Sequence, residues 1–308
     1  LIFFSSFMAV LYHLGVMQWV VRGMAWLTVR TLGTSGSESL SACANVFVGQ
    51  TEAPLLVKPF LKDMTRSELH AVMVGGFATI AGGVFALYVL FGVAPGHLMV
   101  ASVMAVPAGL VCTKMLWPET ETSQTLGSVQ NELRSPYGNV VEAAAAGAGD
   151  GLKLALNVGA MLIAFLGLVA VLNAVLGWVN PAWSVQGALA LLFWPIAAVM
   201  GVPWAEIPLL AELLGTKIAV TELVAYQKLG PMITNGQVSP RTALVASFAL
   251  CGFANLGSVA IQVGGLGAIA PERRQDLARL GLRAMFGGAL ATCMTACVAG
   301  VLAREALS

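Results

Sequence analysis

Five stretches of the chain, roughly residues 1–16, 69–92, 97–117, 152–177 and 283–303, are apolar enough to cross a bilayer, which takes about 20 consecutive apolar residues per helix. The first is expected to be cut short at its front. Of 308 residues, 58% are hydrophobic and only 10% are charged, whereas a soluble domain carries roughly 25% charged residues. So few charges cannot cover a surface of this size in water, and the bilayer must solvate the rest. The expected fold class is an all-α polytopic membrane protein. The net charge of +1 makes no case for nucleic acid as a partner, because such binding rests on neutralising phosphates.

The chain begins at Leu1 and is apolar at once, with no charged leader. A signal peptide has a positively charged start, so the expectation is a piece of a longer protein whose first membrane segments lie upstream. Residues 17–32 set Arg22 and Arg30 among Trp and Met, the pattern of an amphipathic helix at the membrane surface. Residues 184–203 are apolar but surrounded or punctuated by Trp178, Trp183, Trp194 and Trp204. Tryptophan favours the interface, and the reading there stays open between an interfacial helix and a span. Residues 38–60 and 205–227 are moderately apolar yet interrupted by Pro, Gly, Gln, Glu and Lys. A hairpin that enters the membrane and turns back tolerates those groups when protein or water shields its turn.

Lys58, Lys62 and Arg66 lie in the loop 58–70, and Arg273, Arg274, Arg279 and Arg283 in the loop 271–283. The loops 92–97 and 178–183 carry no Lys or Arg. The positive-inside rule puts the charged set in the cytoplasm. An internal repeat then becomes informative. Gln50-Thr51-Glu52 is echoed by Thr221-Glu222, and Gly76-Phe77-Ala78-Thr79-Ile80 by Gly252-Phe253-Ala254-Asn255-Leu256. The Thr-Glu pairs are 170 positions apart and the Gly-Phe-Ala motifs 176. By the loop charges the first hairpin starts and ends on the cytoplasmic side and the second outside, so the two halves are inverted. Inverted repeats with hairpins and broken helices mark secondary transporters, with the substrate near the midplane where the repeats meet. The layout this predicts has a scaffold helix and an interfacial helix in residues 1–35. Residues 36–120 form a first repeat of re-entrant hairpin, broken helix and transmembrane helix. Residues 121–204 hold a cytoplasmic loop, a scaffold helix and an interfacial helix, and residues 205–308 the second repeat.

Glu52 and Glu222 are the strongest chemical signals. An ionisable residue in a membrane segment costs several kcal/mol unless it is paired or hydrated, so it points to function. The plainer reading has them cap hairpin helices or pair with Lys58 and Lys217. Residues 75–83 hold four glycines in nine residues, each weakening a helix by about 1 kcal/mol relative to Ala. Such a break frees backbone groups for a substrate or cation; the same glycines also suit close helix packing. Asn255 and Ser258 are three apart, on one helical face. Two carboxylates with Gln50, Thr51, Asn255 and Ser258 suit a neutral, polyhydroxylated solute and not an anion. Asn45 and Thr79 add a cation possibility, set against ordinary local backbone bonding by Asn and Thr. The five cysteines form no CxxC or metal spacing and read as small buried hydrophobes.

Gly49-Gln50-Thr51-Glu52-Ala53-Pro54, Glu222-Leu223-Val224-Ala225-Tyr226 and Gly252-Phe253-Ala254-Asn255 resemble the two hairpin signatures and second broken helix of the concentrative nucleoside transporter family. The similarity runs over nearly the whole chain. It implies that Gln50, Thr51 and Glu52 bind the nucleobase, with Val84 against it and Phe253 contacting the base or closing the site. It implies that Glu222, Asn255 and Ser258 bind ribose hydroxyls. Sodium, the coupling ion, would lie between the side chains of Asn45 and Thr79 and the carbonyls of Val48, Thr79 and Ile80. The resemblance further implies a homotrimer in a bacterial inner membrane, working by an elevator-like movement against a scaffold. Thr221 and Leu223 depart from the Asn-Glu-Phe expected there, and Thr79 stands where Ser is commoner.

Some members of that family couple to protons, with Glu52 or Glu222 then carrying the proton. A membrane-embedded hydrolase using Ser35, Ser37 or Ser39 lacks any suitably spaced Asp-His partnership. Two inverted hairpins around a specific polar site argue against an open channel. The expectation is therefore a non-enzymatic, sodium-coupled nucleoside importer.

Overall fold

The computed structural model describes residues 2–127, 137–180 and 183–302 of the chain. The chain is all-α: among the described residues the only β feature is a single bridge between Ser35 and Leu126. Its helices are α1 (Ile2–His13), α2 (Val16–Leu32), α3 (Gly36–Ala44), α4 (Lys58–Leu61), α5 (Arg66–Ala78), α6 (Gly82–Leu90) and α7 (Pro95–Leu116). They continue as α8 (Val140–Val179), α9 (Val185–Val199), α10 (Ile207–Ala219), α11 (Glu222–Thr234), α12 (Pro240–Ala249), α13 (Leu256–Ile269) and α14 (Arg274–Leu302).

Three stretches among the described residues are long and apolar enough to cross a membrane: Arg66–Leu90, Pro95–Leu116 and Pro271–Leu302. Helix α14 packs against α5, α7 and α12, and α10 against α9. Outward-facing Trp19, Trp26, Ile163, Val171, Trp178 and Leu191 form the apolar exterior that lipid solvates. Helix α8 starts twelve residues before the apolar run expected at 152–177. Hydropathy detects what lipid accepts, and not where helix begins. Residues 140–151 are rich in Ala, a strong helix former, and Asn139 caps them by accepting the Glu142 N–H at 2.9 Å. Helix α1 crosses α8 at Gly147 and Gly151, where a Cβ would lie 2.6 Å from Ala9 and 2.7 Å from the Ile2 Cα.

Two interruptions shape the centre. Helix α5 stops at Ala78, Thr79 and Ala81 are extended, and α6 starts at Gly82. Helix α12 stops at Ala249, and α13 starts only after Asn255, which is extended and accepts the Ser258 N–H at 2.8 Å. The two interruptions touch: the Phe253 N–H donates to the Thr79 carbonyl at 3.2 Å. Only glycine fits at 252, because a Cβ there would lie 2.6 Å from the Phe77 carbonyl oxygen.

Polar locks hold the ends of α3 and α5. Ser35 with Glu38, and Thr65 with Glu68, form capping boxes that satisfy orphan N–H groups reciprocally. Lys114 of α7 pairs with Glu38 at 2.8 Å, and Glu68 accepts from Ser37 and Ser123 at 3.1 and 2.6 Å. Ser35 and Ser37, considered above as nucleophiles, are thus capping and network hydroxyls. Ser39 shares its hydroxyl with Thr34 at 2.7 Å.

Candidate binding site

Helices α10 and α11 are joined by only Val220 and Thr221. The Thr221 side chain accepts the Leu223 N–H at 3.1 Å and caps α11, so Glu222 becomes the first helical residue. That position suits a carboxylate, because free N–H groups and the helix dipole favour negative charge there. Glu222 is 3% exposed. Tyr88 donates its hydroxyl to Oε1 at 3.0 Å, and Asn255 donates Nδ2 to Oε2 at 3.1 Å. Asn255 has a fixed orientation, since its Oδ1 accepts the Ser258 N–H and a backbone N–H can only donate. Tyr88 is itself packed on Tyr226, with ring centroids 4.3 Å apart.

Lys217 does not hydrogen-bond Glu222. It is buried and donates to the Ala249 carbonyl at 2.8 Å and to Thr292 Oγ1 at 2.9 Å. A cation at the C-terminal end of α12 suits the carbonyls left free there. Lys217 thereby ties α10 to the second interruption and to α14.

The first half is built differently. Helix α3 ends at Ala44, turns follow, and a 3₁₀ segment covers Ala53–Val57 with Pro54 near its start. The carboxylate of Glu52 folds over Gly49, whose missing Cβ leaves it room, and Gly49 sits beside Ala81. The turn thus lies against the first interruption. Thr51 packs its methyl group against Gly265 of α13, where a Cβ would lie 3.0 Å away. Gln50 Oε1 accepts from Gln262 Nε2 at 3.0 Å.

Asn45 and Thr79 converge on Gly75. Thr79 Oγ1 donates to the Gly75 carbonyl at 2.9 Å, and a Cβ on Gly75 would lie 3.3 Å from Asn45 Nδ2. Asn45 donates Nδ2 to the Ser41 carbonyl at 3.0 Å, but its Oδ1 is buried without a partner. Val48 stands in the turn after α3, and Ile80 is buried within the first interruption. Val84 is buried in the first turn of α6, and Phe253 is half-buried in the second interruption. The structure therefore joins Glu222, Asn255 and Ser258 in one cluster, Asn45 and Thr79 in a second, and places Gln50, Thr51 and Glu52 along one turn.

Sequence reasoning missed Tyr88 and Gln262, and weighed Lys217 only as an ion partner. Both missed residues had a signal. Tyr88 follows Val84 by four and Gln262 follows Ser258 by four, the spacing of one helical face.

Residues 97–300 match the family model described as the C-terminus of Na+ dependent nucleoside transporters, and residues 1–95 match a nucleoside recognition model. The chain is 43% identical over 320 residues to human solute carrier family 28 member 3, covering 98% of this chain and 46% of that protein. Against the sodium/nucleoside cotransporter 1 of Rattus norvegicus it is 43% identical over 323 residues, covering 98% and 50%. Against the uncharacterized transporter YutK of Bacillus subtilis it is 46% identical over 310 residues, covering 98% and 76%. The chain thus spans about half the length of the animal relatives. Among solved structures, CNTnw in an inward-facing substrate-bound state is similar at a TM-score of 0.92 and 48% identity, covering 97% of this chain and 73% of that one. A substituted CNTnw in an outward-facing state gives 0.91 and 46%, covering 99% and 73%.

Proposed function

The chain belongs to the concentrative nucleoside transporter family, and from that premise we propose that it imports nucleosides across a bacterial plasma membrane with sodium as the coupling ion. The family is one of transporters and not of enzymes. In this reading the α10–α11 hairpin and the turn after α3 are re-entrant, and the two repeats are inverted around them. The protein works as a homotrimer with an elevator-like movement of the hairpins against the scaffold.

The observation that carries the substrate reading is the Glu222 cluster. A carboxylate offers about four lone-pair sites, and Tyr88 and Asn255 use two of them. The remaining sites suit the vicinal hydroxyls of a ribose, with Asn255 and Ser258 alongside. Gln50, Thr51 and Glu52 face the nucleobase, and Val84 and Phe253 supply its apolar walls. A carboxylate already oriented by two donors needs no rearrangement to accept the sugar, which favours affinity.

Asn45 supports the ion reading. A buried oxygen without a donor costs about 1–3 kcal/mol, and a cation relieves that cost. Sodium is cargo here, with Asn45 Oδ1, Thr79 Oγ1 and the Val48, Thr79 and Ile80 carbonyls as its oxygen donors. These groups come from both the hairpin turn and the first interruption. Coupling requires that the ion bind the substrate-competent arrangement better than its alternative, and a site split between two segments meets that requirement.

The test is uridine uptake into proteoliposomes with sodium and proton gradients imposed separately. Uptake should follow the inward sodium gradient at constant pH. Uptake driven by the proton gradient alone would transfer the coupling role to Glu52 or Glu222. Absence of saturable uptake under both gradients would remove the nucleoside reading.

A further inference from the structure

Gln262 lies on α13, is 1% exposed, and donates from Nε2 twice: to the Met73 carbonyl at 3.1 Å and to Gln50 Oε1 at 3.0 Å. Amide oxygen and nitrogen are ordinarily assigned from their partners, and here one partner permits only one answer. A backbone carbonyl only accepts. The Gln262 atom facing Met73 is therefore nitrogen. Its second hydrogen faces Gln50, so the Gln50 atom at that point is oxygen. Turning Gln262 over would set two carbonyl oxygens against each other and lose both bonds. The arrangement leaves Gln262 Oε1 buried without a partner.

The consequence falls on Gln50. With its oxygen turned to Gln262 and one of that oxygen's two lone pairs used, the end of Gln50 directed away from Gln262 is its NH₂ group. Gly76 of α5 makes room for this amide pair, since a Cβ there would lie 2.5 Å from Gln262 Nε2 and 2.9 Å from Gln50 Cβ. We propose that Gln262 is a specificity-determining positioning residue: through the Met73–Gln262–Gln50 relay it fixes Gln50 as a hydrogen-bond donor, so the site selects nucleobases that present an acceptor there. This rests on the reading of Gln50 as a base contact, and it adds the polarity of that contact and the residue that sets it.

The experiment measures binding of three nucleosides to the purified full chain: uridine, zebularine, which lacks the 4-oxygen, and 2-thiouridine, whose sulfur is the weaker acceptor. In the wild type, at least one analogue should bind about fivefold weaker than uridine, the worth of one hydrogen bond. Gln262→Leu should shrink that penalty to within about twofold, and Gly76→Ala, which intrudes on the pair from another helix, should shift it the same way. In a Gln50→Leu background, adding Gln262→Leu should change uridine affinity by less than about twofold, because a residue acting only through Gln50 has nothing left to act on. Equal wild-type affinities for all three nucleosides overturn the proposal without any variant. So does a penalty that survives both substitutions, or a Gln262→Leu effect undiminished when Gln50 is absent. A wild type that binds none of the three fails the nucleoside reading instead.

Discussion

Thr51–Glu52 and Thr221–Glu222 are the same dipeptide placed in two settings, and the setting decides what each glutamate does. Thr221 caps a 13-residue helix and puts Glu222 in its first turn, buried and held on both oxygens. Glu52 precedes a 3₁₀ segment with no side-chain cap, and its side chain is exposed. The sequence after each glutamate explains the split. Pro54 removes a backbone donor and favours a short turn, whereas Leu223-Val224-Ala225-Tyr226 continues into a helix with Tyr226 packed on Tyr88. The second tip is preorganised before any ligand arrives. The first carries an unpartnered Asn45 oxygen nearby, and under the proposed sodium site the ion would complete it.

The largest break in that comparison comes from Glu222→Gln. The Asn255 NH₂ is fixed by the cap on Ser258, so the new amide must turn its oxygen to Asn255 and its nitrogen to Tyr88. The cluster keeps its shape but loses the charge and half of the acceptor sites of residue 222. Uridine affinity should fall about 100-fold, as expected for two charge-assisted hydrogen bonds, with the thermal transition moving much less. Unchanged affinity in a binding titration would remove Glu222 from the site.

Asn45→Leu tests the other tip. Leucine has the same number and branching of side-chain heavy atoms but no oxygen, so the unpartnered acceptor disappears. Sodium should then no longer strengthen uridine binding, a loss of about tenfold at saturating sodium if the coupling is of ordinary size. Affinity measured without sodium should stay near that of the wild type. A sodium titration that still raises affinity would move the ion elsewhere.

The difference between the tips also marks what a reading of the chain alone reaches. Glu52, Glu222, Asn45 and Asn255 stand out because polar groups in apolar runs demand an explanation before any coordinates exist. Tyr88 and Gln262 signal themselves only by their spacing of four from Val84 and Ser258, because Tyr in VFALYVL or one Gln in LGSVAIQVGGLGAI otherwise has an ordinary place in a packed helix. Their meaning arises from pairings across 134 and 212 positions, to Glu222 and Gln50. Such pairings depend on where the two interruptions cross, and that crossing rests on the Phe253–Thr79 hydrogen bond and on the missing side chain of Gly252. The start of α8 is hidden for a different reason: Glu142, Asp150 and three glycines interrupt the apolar run of residues 140–151, while Ala143–Ala146 still favour helix.

The finest distinction between the tips is whether Glu222 is oriented by its neighbours or merely buried beside them, and Tyr88→Phe separates the two. The phenyl ring keeps the stack on Tyr226, so the core loses only one hydroxyl. If orientation matters, the freed Oε1 rotates and the sugar must fix it again on binding. Uridine affinity should fall about fivefold, the net worth of one hydrogen bond, while the sodium dependence set at the first tip stays as it was. A wild-type affinity would show that Asn255 and the start of α11 suffice to aim the carboxylate. A loss of sodium dependence would show instead that the tips are coupled through α6, which carries Val84 and Tyr88 on one face and begins where the first interruption ends.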